Sequence, residues 1–421
     1  MAGMTSDLIR RNATPLAQET LADTPITVIS GARQVGKTTL MQQLVRDRDA
    51  RVVSLDDTID REAAEADPDG FAAQYRQGLL AIDEIQRVPA LLTALKAAVD
   101  RDRRPGRFIV TGSADLLSLR GAQESLAGRA QTIPLEGLSR DELSGRSADF
   151  ATFAWSLPTT GTPDDRSDLT RRDYLELVTT PTFPEIVDRT ARQRDRWLSN
   201  YTQRVVSKDS SDITGIYHPD RLEPLLNVIA ARNAGEFVAA RIGRELDIPE
   251  RSIPTYLRAL ESVFLVRSVP GWSKNIASGA ISRPKVAITD TGLAAHLTGV
   301  EVDGLEREIS STLTGGLVEG FVTGELAKQS TWSAKSTRVS HFRGRGGYEV
   351  DLILEDRRRD IVGIEVKTTT SPRSPDFNGL TFLRDLLGDR FITGVVLHTG
   401  TASRSFGDRL WALPISTLWD H

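Results

Sequence analysis

A glycine-rich segment near the N-terminus has residue types and spacing that suit the binding of phosphate groups. The segment GARQVGKT (residues 31–38) fits the pattern G-x-x-x-x-G-K-[ST] and lies between an apolar run and a helical pattern. Glycines let backbone N–H groups curl around phosphate oxygens, and the start of a helix adds partial positive charge. We expect Lys37 to reach the β- and γ-phosphates of ATP and Thr38 to bind Mg²⁺; the alternative is a glycine turn that binds no ligand. The predicted nucleotide-binding residues are Gly31, Ala32, Arg33, Gln34, Val35, Gly36, Lys37, Thr38 and Thr39.

Two adjacent carboxylates follow a second apolar run. In LLAIDEIQ the residues before Asp83 and Glu84 are all apolar, which is typical of a buried strand that ends at a polar site. We expect Asp83 to hold the Mg²⁺, directly or through water, and Glu84 to polarise the water that attacks the γ-phosphate. The alternative is an acidic strand end without a catalytic role.

Polar residues at the end of a third apolar run, RFIVTGS, form another candidate group. ATPases of the AAA+ type carry a polar residue here that senses the γ-phosphate and orients water. Thr111 and Ser113 are both candidates for that role, and a simple turn is the alternative. Downstream, Arg129 could stabilise charge on the γ-phosphate, in cis or from a neighbouring subunit, or it could be solvated or salt-bridged.

These candidates require a sheet that brings several strand ends together. Between residue 25 and about residue 140, apolar runs alternate with helical stretches, which predicts a parallel sheet covered on both faces. The whole chain resembles the bacterial and archaeal ATPases of the AAA family that carry a C-terminal DUF4143 domain. The segments that carry the resemblance are GARQVGKTT, LDD at 55–57, LLAIDEIQ, VTGSADLL, SLAGR, YL…FPE, PKVAITDTGLAAHL and EVD…IEVK.

Carboxylates also stand in predicted strands near the C-terminus. Glu365 and Lys367 share one face of a strand because side chains alternate, and Asp351 lies on the preceding strand. Two carboxylates on neighbouring strands are suitable ligands for Mg²⁺ or Mn²⁺, and a lysine next to them can position water. The alternative is a surface sheet with an ordinary Glu–Lys pair.

This constellation resembles the PD-(D/E)xK nuclease superfamily, in which Asp351 matches the first acid and Glu365-Val366-Lys367 matches E-x-K. The resemblance implies a restriction-endonuclease-like α/β core, a divalent metal and a catalytic role for Lys367. A further acid should come from the preceding helix. The spacing of the family favours Glu319, whereas helical periodicity places Glu325 inside an apolar stripe, and both are candidates.

The middle of the chain has the pattern helix, turn, helix, strand, as in a winged helix. Arg251, Thr255 and Arg258 recur on the polar side of the second helix, which suits a reader of the DNA major groove. A protein contact or a solvated face is the alternative. Pro254 requires that this helix begins near Ser252 or is distorted at its start.

Length and pattern together predict a multidomain α/β protein. A P-loop (AAA+-like) parallel-sheet domain is followed by a linker, a helical domain with a winged-helix-like element and a nuclease-like domain. The predicted bounds are 1–143 for the P-loop domain, 144–172 for a polar insertion or linker, 173–305 for the helical domain and 306–421 for the nuclease-like domain.

Composition limits the function classes. The chain has no cysteine, which excludes disulfides, iron–sulfur clusters and cysteine-bound zinc, and its five histidines lack metal-ligand spacing. No apolar run suits a signal peptide or a membrane span, so we expect a cytoplasmic protein without a membrane partner. The formal net charge of −4 means that any DNA contact must use a local patch.

Two functions are consistent with these patterns. One is an ATP-driven, metal-dependent nuclease, and the other is a nucleotide-dependent switch whose nuclease-like domain only grips DNA or protein. Both require ATP binding and hydrolysis. A homo-oligomer is left open, because an arginine that acts in trans requires one.

Overall fold

The computed structural model describes residues 8–116, 126–163, 166–209, 218–274, 283–308, 311–344 and 346–421. Its N-terminal unit is a parallel sheet of five strands in the order β2-β3-β4-β1-β5. The strands are β1 (Ile26–Ser30), β2 (Ala50–Ser54), β3 (Leu79–Asp83), β4 (Phe108–Gly112) and β5 (Ala130–Pro134). The helices are α1 (Thr14–Asp23), α2 (Lys37–Val45), α3 (Thr58–Ala66), α4 (Pro68–Ala73), α5 (Ala90–Arg101) and α6 (Arg140–Leu143). Strands β1, β3 and β4 are buried along their whole length, because helices cover both faces of a parallel sheet.

The segment predicted as a polar linker, residues 144–172, contains a packed helix. Helix α7 (Phe150–Thr160) buries Phe150, Ala154 and Leu157 in the same apolar cluster as the C-terminal sheet. These residues recur at helical spacing and form one apolar face. This part of the segment is therefore packed against the core, where the sequence predicted a polar insertion or linker.

The middle unit is mainly helical. Its helices are α8 (Arg171–Thr179), α9 (Ala191–Arg204), α10 (Leu222–Ala231), α11 (Ala239–Leu246), α12 (Ile253–Ser262), α13 (Thr291–Thr298) and α14 (Val302–Arg307). A small antiparallel sheet of β6 (Gly235–Glu236), β7 (Val266–Val269) and β8 (Lys285–Ile288) has the order β6-β8-β7. Helix α12 begins at Ile253, so Pro254 stands in its first turn, where a missing N–H is tolerated.

The C-terminal unit is a mixed sheet of six strands in the order β13-β14-β12-β11-β10-β9. The strands are β9 (Thr337–Arg343), β10 (Glu349–Asp356), β11 (Ile361–Lys367), β12 (Phe391–His398), β13 (Arg404–Ser405) and β14 (Leu410–Pro414). The helices are α15 (Thr312–Gln329), α16 (Asn378–Leu387) and α17 (Thr417–Asp420). Helix α15 contributes to an apolar cluster with one face of the sheet, and α16 contributes to a second cluster with the other face.

The three units share a continuous core. One apolar cluster includes Leu40 of the N-terminal unit, Leu226 of the middle unit and Leu413 of the C-terminal unit. The predicted order of units along the chain is confirmed: a parallel-sheet unit comes first, a helical unit second and an α/β unit with a mixed sheet third. Among the helices in the described ranges, none combines the length and the apolar character that crossing a membrane would require.

Candidate functional site

The glycine loop lies between the end of β1 and the start of α2. Gly36 has φ +95° and Gln34 has φ +65°, so the chain curls through the left-handed region immediately before the helix begins at Lys37. A Cβ at Gly31 would lie 1.9 Å from the carbonyl oxygen of Leu135, so only glycine fits there. The loop therefore has the backbone conformation that aims amide groups at a phosphate.

The lysine of the loop is buried against it. Lys37 is 4% exposed, and its Nζ donates to the carbonyl oxygen of Ala32 at 2.7 Å. The amine thus lies across the loop, where a phosphate bound by the amide groups would meet it. Arg33, Val35 and Thr39 belong to the same segment, with Val35 buried in the core below the loop.

The carboxylate of Asp83 joins the loop to the centre of the sheet. Thr38 Oγ1 lies 2.9 Å from Asp83 Oδ2, and the hydroxyl of Thr111 donates to Asp83 Oδ1. Burial raises the pKa of Asp83 above its ordinary value, against the effect of the two hydroxyl donors. The hydroxyl of Thr38 and this carboxylate are oxygen ligands of the type that Mg²⁺ prefers, so the donor set fits that ion.

Glu84 is held by a second set of partners. Its backbone has φ +57°, and its N–H donates to Thr111 Oγ1 at 3.1 Å. Ser113 Oγ donates to Glu84 Oε2 at 2.9 Å, and Gln86 Nε2 contacts both Ser113 and Glu84. The two candidate polar residues at the end of β4 therefore contact different carboxylates: Thr111 contacts that of Asp83, in addition to the backbone of Glu84, and Ser113 contacts that of Glu84.

Arg129 lies away from the loop. Its guanidinium makes two hydrogen bonds of 2.8 Å to the carboxylate of Asp100 at the end of α5. Its carbonyl oxygen accepts from the N–H of Ile26, the first residue of β1, whereas the loop follows the last residue of that strand. The salt-bridged alternative is what the structure has, and a role in cis at the γ-phosphate is wrong for this arrangement. A role in trans stays a prediction.

The structure adds Arg11 to this site, a residue for which no sequence pattern predicted a role. The guanidinium donates to the carbonyl oxygens of Val35 at 2.7 Å and Glu136 at 2.8 Å, and its Nε pairs with Glu142 at 3.0 Å. Glu142 also closes a capping box at the start of α6 with Ser139. Since S-x-x-E is readable as a capping box, only Glu142 had a sequence signal.

A cavity of about 300 Å³ lies beside the glycine loop, between the N-terminal and middle units. Its wall includes Gly31 and Ala32 from the loop, and Phe183, Phe264 and Thr289 from the middle unit. The wall is mainly apolar with a few polar groups, which is typical of small-molecule sites.

The predicted acids of the C-terminal unit surround a lysine from the middle unit. Lys285 Nζ lies 2.7 Å from Glu319 Oε1, 3.1 Å from Asp351 Oδ1 and 3.2 Å from Glu349 Oε1. Burial lowers the pKa of Lys285, but Asp351 and Glu319 outweigh that effect, so the net shift is upward. Burial raises the pKa of Glu319 well above its ordinary value, with Asp351 adding to the effect and Lys285 opposing it.

Glu365 and Lys367 form an ion pair next to Asp351. Lys367 Nζ lies 2.6 Å from Glu365 Oε1, and Asp351 accepts from the N–H of Val366 at 3.0 Å. Burial raises the pKa of Glu365 to about 8, and Asp351 contributes in the same direction. Within the described ranges, no three His, Asp or Glu side chains are arranged to hold a metal ion. The predicted acids are adjacent, but they do not form a metal site in this conformation.

Of the two candidate helix acids, the structure brings only Glu319 to Asp351. Glu325 is fully buried, and its carboxylate accepts from Lys328 Nζ and from the backbone N–H of Arg140, both at 2.8 Å. Periodicity correctly placed Glu325 inside the apolar stripe, but its partners are a lysine one turn away and the start of α6. The proposed metal role of Glu325 is therefore wrong.

The loop and the paired acids, carried on a parallel sheet, are typical of a P-loop domain of the AAA type. Residues 23–144 match the family described as AAA domain. Residues 171–304 match the Domain of unknown function (DUF8612), and residues 314–418 match the Domain of unknown function (DUF4143).

Two mycobacterial proteins are similar along most of the chain. They are Uncharacterized protein Mb2031c of Mycobacterium bovis and Uncharacterized protein Rv2008c of Mycobacterium tuberculosis. Each is 30% identical over 365 residues, which cover 86% of this chain and 75% of the relative. The chain therefore belongs to the same family as these two proteins, and its residues 23–144 carry the AAA domain.

Solved structures resemble the chain more distantly. The Walker-type ATPase PABY2304 of Pyrococcus abyssi has 15% identity and a TM-score of 0.39, covering 70% of this chain and 97% of that chain. The RuvB Holliday junction branch migration motor of Thermotoga maritima has 19% identity and a TM-score of 0.27, covering 61% of this chain and 87% of that chain.

Proposed function

We propose that this protein binds and hydrolyses ATP and that its nucleotide state controls a contact with DNA. The observation that carries the proposal is the position of the Asp83 carboxylate. It contacts Thr38 of the glycine loop and Thr111 of β4 at the carboxyl ends of the strands. This arrangement supports a Mg²⁺ site beside a phosphate-binding loop. The arrangement therefore favours a loop that binds nucleotide over the alternative of a glycine turn that binds no ligand.

Each residue of this site has a proposed role. Lys37 would neutralise charge on the β- and γ-phosphates, and Thr38 and Asp83 would hold Mg²⁺, which supplies charge stabilisation when it is bound. Glu84 would accept a hydrogen bond from the attacking water, since Ser113 and Gln86 hold its carboxylate in place. The backbone amides of residues 31–39 would cradle the phosphates.

The cavity between the units is the proposed site of the adenine base. Its wall begins at Gly31 and Ala32, so a nucleotide with phosphates in the loop can extend into it. Phe183 and Phe264 supply aromatic surface for a flat base. Strand β8 begins at Lys285, at the acids of the C-terminal unit, and ends at Ile288, one residue before Thr289 of the cavity wall. It offers a direct mechanical link between the two sites.

The middle unit is proposed to be a winged helix that contacts DNA. The order α10, β6, α11, α12, β7, β8 and the sheet order β6-β8-β7 support this assignment. Arg251, Thr255 and Arg258 are exposed on one side of α12 and its preceding turn, and Arg258 donates to Thr255 at 3.0 Å. Exposed arginines on a second helix are suited to phosphate and base contacts.

A test of the ATP proposal compares the wild-type chain with Lys37→Ala and Glu84→Gln. We expect Glu84→Gln to bind ATP with near wild-type affinity and to lose at least 100-fold in turnover, since it retains shape but not charge. Lys37→Ala should lose nucleotide binding itself. Equal turnover in all three proteins, with no Mg²⁺-dependent nucleotide binding, would refute the proposal.

A test of the DNA proposal measures duplex binding by mobility shift, with and without a non-hydrolysable ATP analogue. Arg251→Ala/Arg258→Ala should weaken binding at least 10-fold and reduce its salt dependence. The matched control is Arg192→Ala/Arg196→Ala, which removes two exposed arginines from α9. A similar loss in both double variants would indicate a general charge effect and contradict a specific role for α12.

A second candidate function is metal-dependent cleavage of DNA. The order α15, β9, β10, β11, α16, β12 fits the helix, three strands, helix, strand core of PD-(D/E)xK nucleases, and Asp351 adjoins Glu365 and Lys367. Arg343 is near this cluster, paired with Glu236 at 2.7 Å, whereas Arg345 lies outside the described residues. Incubation of single-stranded, duplex and branched DNA with Mg²⁺ or Mn²⁺ should show cutting that Lys367→Ala abolishes. ATP turnover without cutting of any substrate would leave the nucleotide-dependent switch.

A further inference from the structure

The acids of the C-terminal unit form a cluster whose cation is supplied by a different unit of the protein. The cluster is Glu319 on α15 with Glu349 and Asp351 on β10, and the cation is Lys285 at the start of β8. Lys285 is 5% exposed and Asp351 is 8% exposed, so the contact is shielded from water. A shielded charge of this kind needs partners that compensate its desolvation.

The ammonium group is fully matched by this cluster. Its Nζ donates to Glu319 Oε1 at 2.7 Å and to Asp351 Oδ1 at 3.1 Å, and Glu349 Oε1 lies 3.2 Å away as a third, more exposed ion-pair partner. The other oxygen of Asp351 accepts from the N–H of Val366 at 3.0 Å. With Lys285 in place, the distances from the centre of the cluster to the carboxylate oxygens are those of hydrogen bonds to nitrogen, longer than the roughly 2.1 Å at which Mg²⁺ takes oxygen ligands.

Lys285 is fixed in position by neighbouring contacts between the two units. The backbone N–H of His341 in β9 donates to the carbonyl oxygen of Pro270 at 2.9 Å. The imidazole Nε2 of His341 lies 3.0 Å from the carbonyl oxygen of Arg283. Arg343 of β9 pairs with Glu236 of β6 at 2.7 Å. The small sheet is thus docked on the edge of the C-terminal sheet, and Lys285 enters the cluster with it.

We propose that Lys285 is the resident cation of this cluster and excludes a divalent metal from it while the middle unit is docked. A divalent ion bound to Glu319 and Asp351 would lie within van der Waals distance of the ammonium, and their like charges would repel in a shielded environment. Removal of Lys285 leaves three acids around an unfilled centre, which is a set of oxygen ligands for Mn²⁺ or Mg²⁺. The proposal does not depend on ATP hydrolysis.

The experiment counts Mn²⁺ bound to the nucleotide-free full chain by electron paramagnetic resonance. Lys285→Met should bind one more Mn²⁺ per chain than the wild type, and Lys285→Met/Asp351→Asn should lose that ion. Lys285→Arg should behave as the wild type does. Lys328→Met is the matched control, because it removes another buried, carboxylate-paired lysine without opening this cluster.

Two results would overturn the proposal. One is a folded Lys285→Met chain that binds no additional Mn²⁺. The other is a wild-type chain that already binds an ion which Asp351→Asn alone removes. The second comparison needs no substitution at Lys285, so it decides the question even when Lys285→Met does not fold.

Discussion

The guanidinium of Arg11 donates to the carbonyl oxygen of Val35 at 2.7 Å, and so holds the glycine loop through one of its carbonyl groups. The same side chain is buried and paired with the buried carboxylate of Glu142. The carbonyl oxygens of such a loop must point away from the phosphates for its amides to point toward them. Arg11 satisfies one of these carbonyl groups and thereby stabilises the phosphate-binding conformation.

Arg11→Met is expected to lower the free energy of unfolding by about 3–5 kcal/mol, because it leaves Glu142 buried without its partner. It should also weaken ATP binding in the fraction that folds. Urea unfolding and nucleotide titration measure the two effects. Arg10→Met, at an exposed neighbouring position, should change neither. Equal effects of the two substitutions would contradict the role of Arg11.

Substitutions of Thr111 and Ser113 should differ in kinetic effect, because the two hydroxyl groups donate to different carboxylates. Thr111→Val removes a partner of Asp83 and should raise the Mg²⁺ concentration needed for half-maximal turnover. Ser113→Ala removes a partner of Glu84 and should lower kcat about 10–100-fold with little change in KM. Steady-state hydrolysis over a range of Mg²⁺ and ATP concentrations separates the two. Identical profiles for both variants would show that the two hydroxyl groups act as one unit.

Lys328→Met should destabilise the protein by about 3–5 kcal/mol, because Glu325 is fully buried and would lose its charged partner. Glu325→Gln should cost less, since an amide oxygen can still accept from the N–H of Arg140. Chemical denaturation gives both values, and Lys274→Met at an exposed position is the control. Recovery of the stability of Lys328→Met by Mn²⁺ would instead indicate that Glu325 binds metal.

His398 should contribute to acid sensitivity. Burial lowers its pKa to about 4, so the unfolded chain binds more protons than the folded chain between about pH 6.5 and 4. The contribution of this residue is therefore complete above about pH 6.5 and decreases as the pH falls through that window, by up to about 3 kcal/mol.

His398→Asn keeps an acceptor for the N–H of Gly400 and removes the titrating group. Its free energy of unfolding should fall less than that of the wild type between pH 7 and pH 4.5, as measured by urea unfolding. His218→Asn, at an exposed position, should retain the wild-type pH dependence. The prediction fails if His398→Asn retains it as well.

The features that the sequence predicted correctly are those whose conformation depends on residues close together in the chain. The glycine loop is one continuous segment, and its conformation follows from the glycines and the helix that begins at Lys37. Asp83 and Glu84 lie at the end of a buried strand, as the apolar run before them predicted. Even the burial of Glu325 was readable, since helical periodicity is a local property.

Tertiary structure decided the partners of these residues. Arg11 is 24 residues from Val35, and Lys285 is 66 residues from Asp351, so no local pattern joins either pair. A carboxylate binds whatever cation folding brings within reach, and the sequence does not state whether that is a metal or a lysine. Arg129 pairs with Asp100, and Asp351 pairs with Lys285. The pair of Glu325 and Lys328 is local, because both residues lie on α15. The chain by itself therefore determined which groups carry charge and which segments form strands, loops and helices. Only tertiary packing decided that Arg11 contacts Val35 and that Lys285 contacts Asp351, because those distances are set by contacts between segments that are distant in the chain.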